Sequence, residues 1–146
     1  VAFRSKRTEA AAKQPTAEEL REKGNLLYRE GHYQQAVKVY TASIDADDSD
    51  ARTWANRAAS STALLQAFSK TWTQSAMRRN AYYDSALKDL DESLQRDPQY
   101  VKAWARKGQL HQLVGETDKA LESFFKGLEL DPQSPECEAG KRACEQ

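Results

Sequence analysis

This chain of 146 residues has little cysteine, histidine, methionine, proline or glycine: two, two, one, four and six of them respectively. Each shortage excludes something. Cys137 and Cys144 are too few for a disulfide framework and read as ordinary thiols, buried or half-buried, in a reducing compartment. His32 and His111 lie far apart in sequence, so a metal site has little to be built from, and neither metal nor cofactor is expected. No apolar run approaches the roughly 20 residues of a membrane span, and no signal-peptide pattern is visible. No sign of charge dominates either, with 22 basic and 22 acidic side chains. Bulk charge therefore gives no support for nucleic acid or a membrane surface as partner. A cytoplasmic protein is expected. The opening Val1 is what a piece of a longer protein would show.

Signs of catalysis are missing too. Ser60-Ser61 has no His or acid at a recognisable spacing, and no glycine-rich phosphate loop is present. No catalytic residue is assigned and no enzyme is expected within this chain. His32 falls in a turn and His111 at a packing position, so both read as structural. Arg57, Lys107 and Arg142 read as solvated faces or ion pairs.

What is present is a period. A pattern of large and small residues returns about every 34 positions. Its copies read Leu20, Gly24, Ala36, Tyr40, Asp48; then Trp54, Ala58, Ala86, Leu90, Pro98; then Trp104, Gly108, Ala120, Phe124, Pro132. Each unit is a helix–turn–helix that cannot bury its apolar face alone, so neighbours must stack. The chain is therefore all-α.

Residues 1–15 carry Arg4, Lys6, Arg7 and Lys13 against Glu9 and read as a linker or frayed segment. Thr16 with Glu19 forms a capping box that opens a helix over 17–30. Gly31-His32 breaks it, and a second helix runs over 33–46 with Val37, Tyr40 and Ile44 inward. Asp50 is the N-cap of the next unit. The third unit repeats the plan over 101–114 and 117–130, parted by Gly115. Asp97-Pro98 and Asp131-Pro132 stop the helices before them. Ser134-Pro135 caps a closing helix over 135–146, with Cys137, Ala143 and Cys144 on its apolar side.

The middle unit, over 51–100, is interrupted. Ala58 and Ala86 lie 28 apart, against 12 for Gly24–Ala36 and Gly108–Ala120. The extra stretch, about 65–81, has no Gly and no Pro. It reads as a continuation of both helices around a tip at Ser69 to Thr73, lengthening the hairpin by about 12 Å at 1.5 Å per residue. Trp72 near that tip is not explained by the repeat. Packing along the long hairpin is the simpler reading; a second contact surface is the alternative.

The fourth, eighth and eleventh positions of each unit's first helix face its partner. The second, fifth, sixth and ninth then turn toward the inner surface. Those positions hold Arg21 and Asn25, then Asn56, then Lys102 and Arg106. Arg21/Asn25 and Lys102/Arg106 are i, i+4 pairs that project side by side. Three cations and two amides, with no matching acids at those positions, make a pocket for a compact anion. Arg offers a fork of donors to a carboxylate, Lys a point charge, Asn a neutral donor. Tyr28, Ala59, Thr62, Gln112 and Leu113 lie next along the groove as candidate side-chain subsites.

The period and these five residues together resemble the tetratricopeptide repeat and its carboxylate clamp. The clamp pattern is met by Arg21-Glu22-Lys23-Gly24-Asn25, by Asn56-Arg57, and by Lys102-Ala103-Trp104-Ala105-Arg106. The family commonly has Lys where this chain has Arg21. The resemblance covers 16–146 apart from the insert. It implies three helix–turn–helix repeats in a right-handed superhelix, at about 17–50, 51–100 and 101–134, with a C-terminal capping helix at 135–146. It implies a co-chaperone module whose partners are the C-terminal Glu-Glu-Val-Asp tails of the cytosolic seventy- and ninety-kilodalton heat-shock chaperones. The module is most similar to those of the Hop, or stress-inducible chaperone-organising, family. Two other readings stay open at this point. The module could target an enzyme such as a phosphatase, peptidyl-prolyl isomerase or ubiquitin ligase, or it could be a repeat scaffold that grips an internal peptide.

Overall fold

The computed structural model describes residues 13–146; the basic stretch 1–12 read as linker lies outside the described residues. The described residues form helices and connections, with no strand among them. Three hairpins follow one another: α1 (Ala17–Arg29) with α2 (Tyr33–Ala46), α3 (Ala51–Gln66) with α5 (Ala81–Arg96), and α6 (Val101–Leu113) with α7 (Thr117–Leu130). A five-residue helix, α4 (Gln74–Arg78), lies inside the second hairpin, and α8 (Pro135–Glu145) closes the stack.

Caps decide where these helices start. Thr16 Oγ1 accepts from the Glu19 backbone N–H at 3.1 Å and donates to the Glu19 carboxylate at 3.3 Å. Asp50 caps α3 by accepting from the Arg52 N–H, and Ser134 caps α8. Gly31 and Gly115 part the helices of the outer hairpins with φ near +80°, a backbone region that other residues adopt at a cost.

Large-into-small packing holds each hairpin shut. Gly24 lies against the Tyr40 ring and Gly108 against the Phe124 ring. A Cβ at either glycine would fall 2.5 Å from a ring carbon. The absent side chains let the helices approach, and both rings are fully buried as a result. Burial of each such ring contributes about 1.5–3 kcal/mol. Gly140 of α8 receives Phe124 from the other side, so α8 covers the last hairpin through Gly140 and buried Cys137; Ala143, expected on that face, is exposed. The expected fourth-position residues Leu20, Trp54 and Trp104 are only half-buried. The indole N–H groups of Trp54 and Trp104 donate to the carbonyls of Asp48 and Pro98 in the turns before them.

The insert is the main departure from expectation. Helices α3 and α5 are 16 residues each, against 13 for α1 and α6 and 14 for α2 and α7. The hairpin lengthens by a fraction of the expected 12 Å, because the remaining residues leave the helices and fold back. Thr73 and Asn80 supply the reason: each caps a new helix start through its side chain, and so ends a continuous run. Met77 of α4 enters the core beside Leu65, Leu110 and Val114, and Arg78 Nη1 donates to the Val114 carbonyl at 3.2 Å. Trp72 stacks on Phe68, ring centroids 4.6 Å apart, and keeps 42% of its surface exposed.

Two polar links brace the stack. Arg57 donates through Nε and Nη2 to both oxygens of buried Asp89, each at 2.8 Å, and through Nη1 to Thr41, joining α3 to α5 and α2. Glu116 accepts from the Tyr83 hydroxyl at 2.5 Å and faces His111 Nδ1 at 3.1 Å, joining the second hairpin to the turn of the third. Lys107 pairs with Asp91 and Arg142 with Glu138, as expected for these unassigned cations.

Candidate functional site

The first helices of the hairpins, α1, α3 and α6, lie side by side and carry the candidate groove residues. Three of the five anion-binding candidates form one hydrogen-bonded line across them. Asn56 Nδ2 donates to Asn25 Oδ1 at 2.9 Å, and Arg106 Nη1 donates to Asn56 Oδ1 at 2.9 Å. Tyr40, from α2, donates its hydroxyl to the same Asn25 oxygen at 2.6 Å. Burial pushes the Tyr40 phenol up to about 12, outweighing the nearby Arg106 and Arg21 charges, so it stays protonated and keeps donating.

This line decides which groups are spare. Both amide oxygens are occupied as acceptors, so the remaining Asn25 and Asn56 N–H groups and the remaining Arg106 N–H groups are donors without an acceptor among the described residues. Lys102, in the first turn of α6, is exposed and has no ion-pair partner among the described residues. Along this line and at Lys102 the site thus presents donors and positive charge that pair with no acid among the described residues, which suits a carboxylate.

Arg21 does not join the line. It is 9% exposed, with Nε 3.5 Å from Asp50 Oδ2 and Nη2 3.8 Å from Glu18 Oε1. The five groove positions hold no acid, but Arg21 meets two acids from outside them. The reason is positional: Arg21 holds the fifth place of its helix, and the same place in the next two hairpins is filled by buried Ala55 and Ala105. The fifth position is a packing position, and a guanidinium there draws in carboxylates.

Beyond Arg106 the groove opens into a cavity of about 390 Å³. All five candidate subsite residues, Tyr28, Ala59, Thr62, Gln112 and Leu113, line it. Small residues on α3 make the floor, and Tyr28 and Leu113 flank it from α1 and α6.

Sequence reasoning missed Tyr40 as part of this site. Tyr40 was read only as an inward-facing residue of the second helix, yet its hydroxyl orients Asn25. Tyr100 precedes α6, and burial raises its phenol against the lowering fields of Arg106 and Arg52. Among the described residues no group of three or more His, Cys, Asp or Glu is placed to hold a metal. No helix there is long and apolar enough to cross a membrane.

Comparison with known proteins fits this geometry. The family profiles for the tetratricopeptide repeat match residues 20–52 and 101–134, the first and third hairpins. The chain carries tetratricopeptide repeats. It is similar to Hsp70-Hsp90 organizing protein 3 of Arabidopsis thaliana, 35% identical over 128 residues that make up 88% of this chain and 20% of that protein. The chain spans about a fifth of the length of the organizing proteins it matches. Among solved tetratricopeptide-repeat structures, it is similar to the second such domain of human RPAP3 in complex with HSP70 peptide SGPTIEEVD. The two are 26% identical at a TM-score of 0.73, covering 89% of this chain and 95% of that one. It is also similar to the first such domain of Spaghetti (RPAP3) bound to HSP90 peptide SRMEEVD, with 25% identity, a TM-score of 0.74, and 90% and 91% covered.

Proposed function

We propose that residues 16–146 form one tetratricopeptide-repeat domain that acts as a co-chaperone module. It binds the C-terminal Glu-Glu-Val-Asp of cytosolic seventy- and ninety-kilodalton heat-shock chaperones and has no catalytic role. The observation that carries this reading is the Asn25–Asn56–Arg106 line, which spends its oxygens internally and leaves donors free beside exposed Lys102. The terminal Asp of such a tail brings a main-chain and a side-chain carboxylate, two anions for one donor cluster. The peptides of both similar complexes end in the same four residues.

In this reading Lys102 and Arg106 hold the terminal carboxylates, Asn25 and Asn56 add neutral donors, and Arg21 adds charge at the edge. The Tyr28–Leu113 cavity receives side chains upstream of the last residue. Each charge-assisted contact contributes about 1.5–3 kcal/mol, offset by the ordering of an extended peptide. A short tail then binds with a Kd of about 1 μM, and more weakly as salt rises. The partner and the reducing-compartment thiols both suit the cytoplasm. Titration of Lys102→Ala and Arg106→Ala with a free-acid tail peptide tests the assignment. Loss of binding with an unchanged helical circular-dichroism signal supports it; unchanged affinity removes it.

A further inference from the structure

Among the described residues, Arg21 is the one clamp candidate with a nearby acid that is itself shared. Its Nε is buried and has no hydrogen-bond partner among the described residues, because the 3.5 Å approach to Asp50 is an ion-pair contact and not a bond. Asp50, by contrast, accepts three hydrogen bonds from Arg52. It accepts from the Arg52 backbone N–H at 2.9 Å, from Arg52 Nε at 3.0 Å and from Arg52 Nη2 at 2.9 Å. The Arg52 hydrogen bonds hold the Asp50 carboxyl below its ordinary range, so it carries full charge at neutral pH. One carboxylate therefore caps α3, binds one guanidinium in a fork, and offsets the charge of a second without bonding to it.

We propose that Asp50 is an internal competitor for the clamp, and that Arg52 sets how strongly it competes. This rests on the carboxylate-clamp reading above. The Asp50 charge lowers the attraction of Arg21 for an incoming carboxylate and repels that carboxylate directly. Arg52, by bonding both Asp50 oxygens, holds the carboxylate where it stands, 3.5 Å from Arg21 Nε. The Arg21 Nη groups are not fully buried and make no hydrogen bond among the described residues, so they are the donors a ligand carboxylate can reach. Arg21 lines one surface recess with Asn25 and approaches Asp50, so this pair lies beside the donor line and not at a remote surface.

The proposal separates two residues with opposite effects. Asp50→Asn keeps the N-cap, since Asn caps as well as Asp, and removes the charge together with one arm of the Arg52 fork. It tightens binding of a free-acid Glu-Glu-Val-Asp peptide by about three- to tenfold. Arg52→Gln frees Asp50 to close on Arg21 and weakens binding by a similar factor. In the Asp50→Asn background Arg52→Gln has no further effect, because Arg52 acts through Asp50. Calorimetry at fixed salt on the four proteins reads all of this, with thermal melts to check folding. Unchanged or weaker binding by Asp50→Asn overturns the proposal, as does an Arg52→Gln effect that persists in the double variant. If the unsubstituted protein binds free-acid and amidated peptides alike, the clamp reading falls and takes this proposal with it. If it discriminates but Asp50→Asn does not tighten, only this proposal falls.

Discussion

Arg106 Nη1 donates to Asn56 Oδ1 at 2.9 Å, tying the first helix of the third hairpin to the first helix of the second. The bond makes Asn56 a relay. Its oxygen serves Arg106 and its nitrogen serves Asn25, whose oxygen also takes the Tyr40 hydroxyl. Four residues from four helices thus fix each other's orientation before any ligand arrives, and preorganised donors bind without a further ordering cost.

Asn56→Ala therefore costs more than one contact. It leaves Arg106 and Asn25 without their shared partner, and tail-peptide affinity falls about tenfold or more. Calorimetry on the variant checks this. Asn56→Asp places a like charge against the ligand and weakens binding further.

Arg57 adjoins Asn56 in sequence but faces the other way. Its fork to Asp89, which is 3% exposed, is internal. Arg57→Ala leaves a buried carboxylate unpaired and destabilises the fold by about 3–5 kcal/mol. A denaturant melt reads the loss. Peptide affinity, measured where the variant is folded, stays near that of the unsubstituted protein.

Glu116 gives the fold an acid limit. Burial raises its carboxyl, but hydrogen bonds from Tyr83, His111 and Lys119 outweigh burial and hold it at about 2, against an ordinary 4.5. A depressed carboxyl stabilises the fold fully above its unfolded value. That stability is lost as pH falls from about 4.5 toward 2. Glu116→Gln removes this dependence, so its melting temperature varies less with pH across that window. A melting series at stepped pH tests it, and a variant curve parallel to the unsubstituted one would contradict it.

Much of this was legible in the sequence, for physical reasons. Gly24 and Tyr40, repeated by Gly108 and Phe124, were legible as a large–small pattern returning with the period, and each glycine lies against the ring of its hairpin partner. Thr16, Asp50 and Ser134 announced helix starts because their side chains satisfy free N–H groups. The five subsite candidates followed from continuing the same helical phase along the groove. The insert was misread because the lack of Gly and Pro argued for continuous helix. Thr73 and Asn80 are as effective as breakers, since each starts a new helix. Arg21 was placed on the open face because helical phase alone does not separate a groove position from a seam between neighbouring helices. The buried Ala55 and Ala105 at the same place show that it lies on the seam.

The central claim is that the free end of another polypeptide is what the donor line holds. Calorimetric titration of one Glu-Glu-Val-Asp peptide, first as the free acid and then amidated at its C-terminus, tests this most directly. The account predicts a Kd of about 1 μM for the acid and loss of most of that affinity on amidation. Equal affinity for the two forms would contradict it.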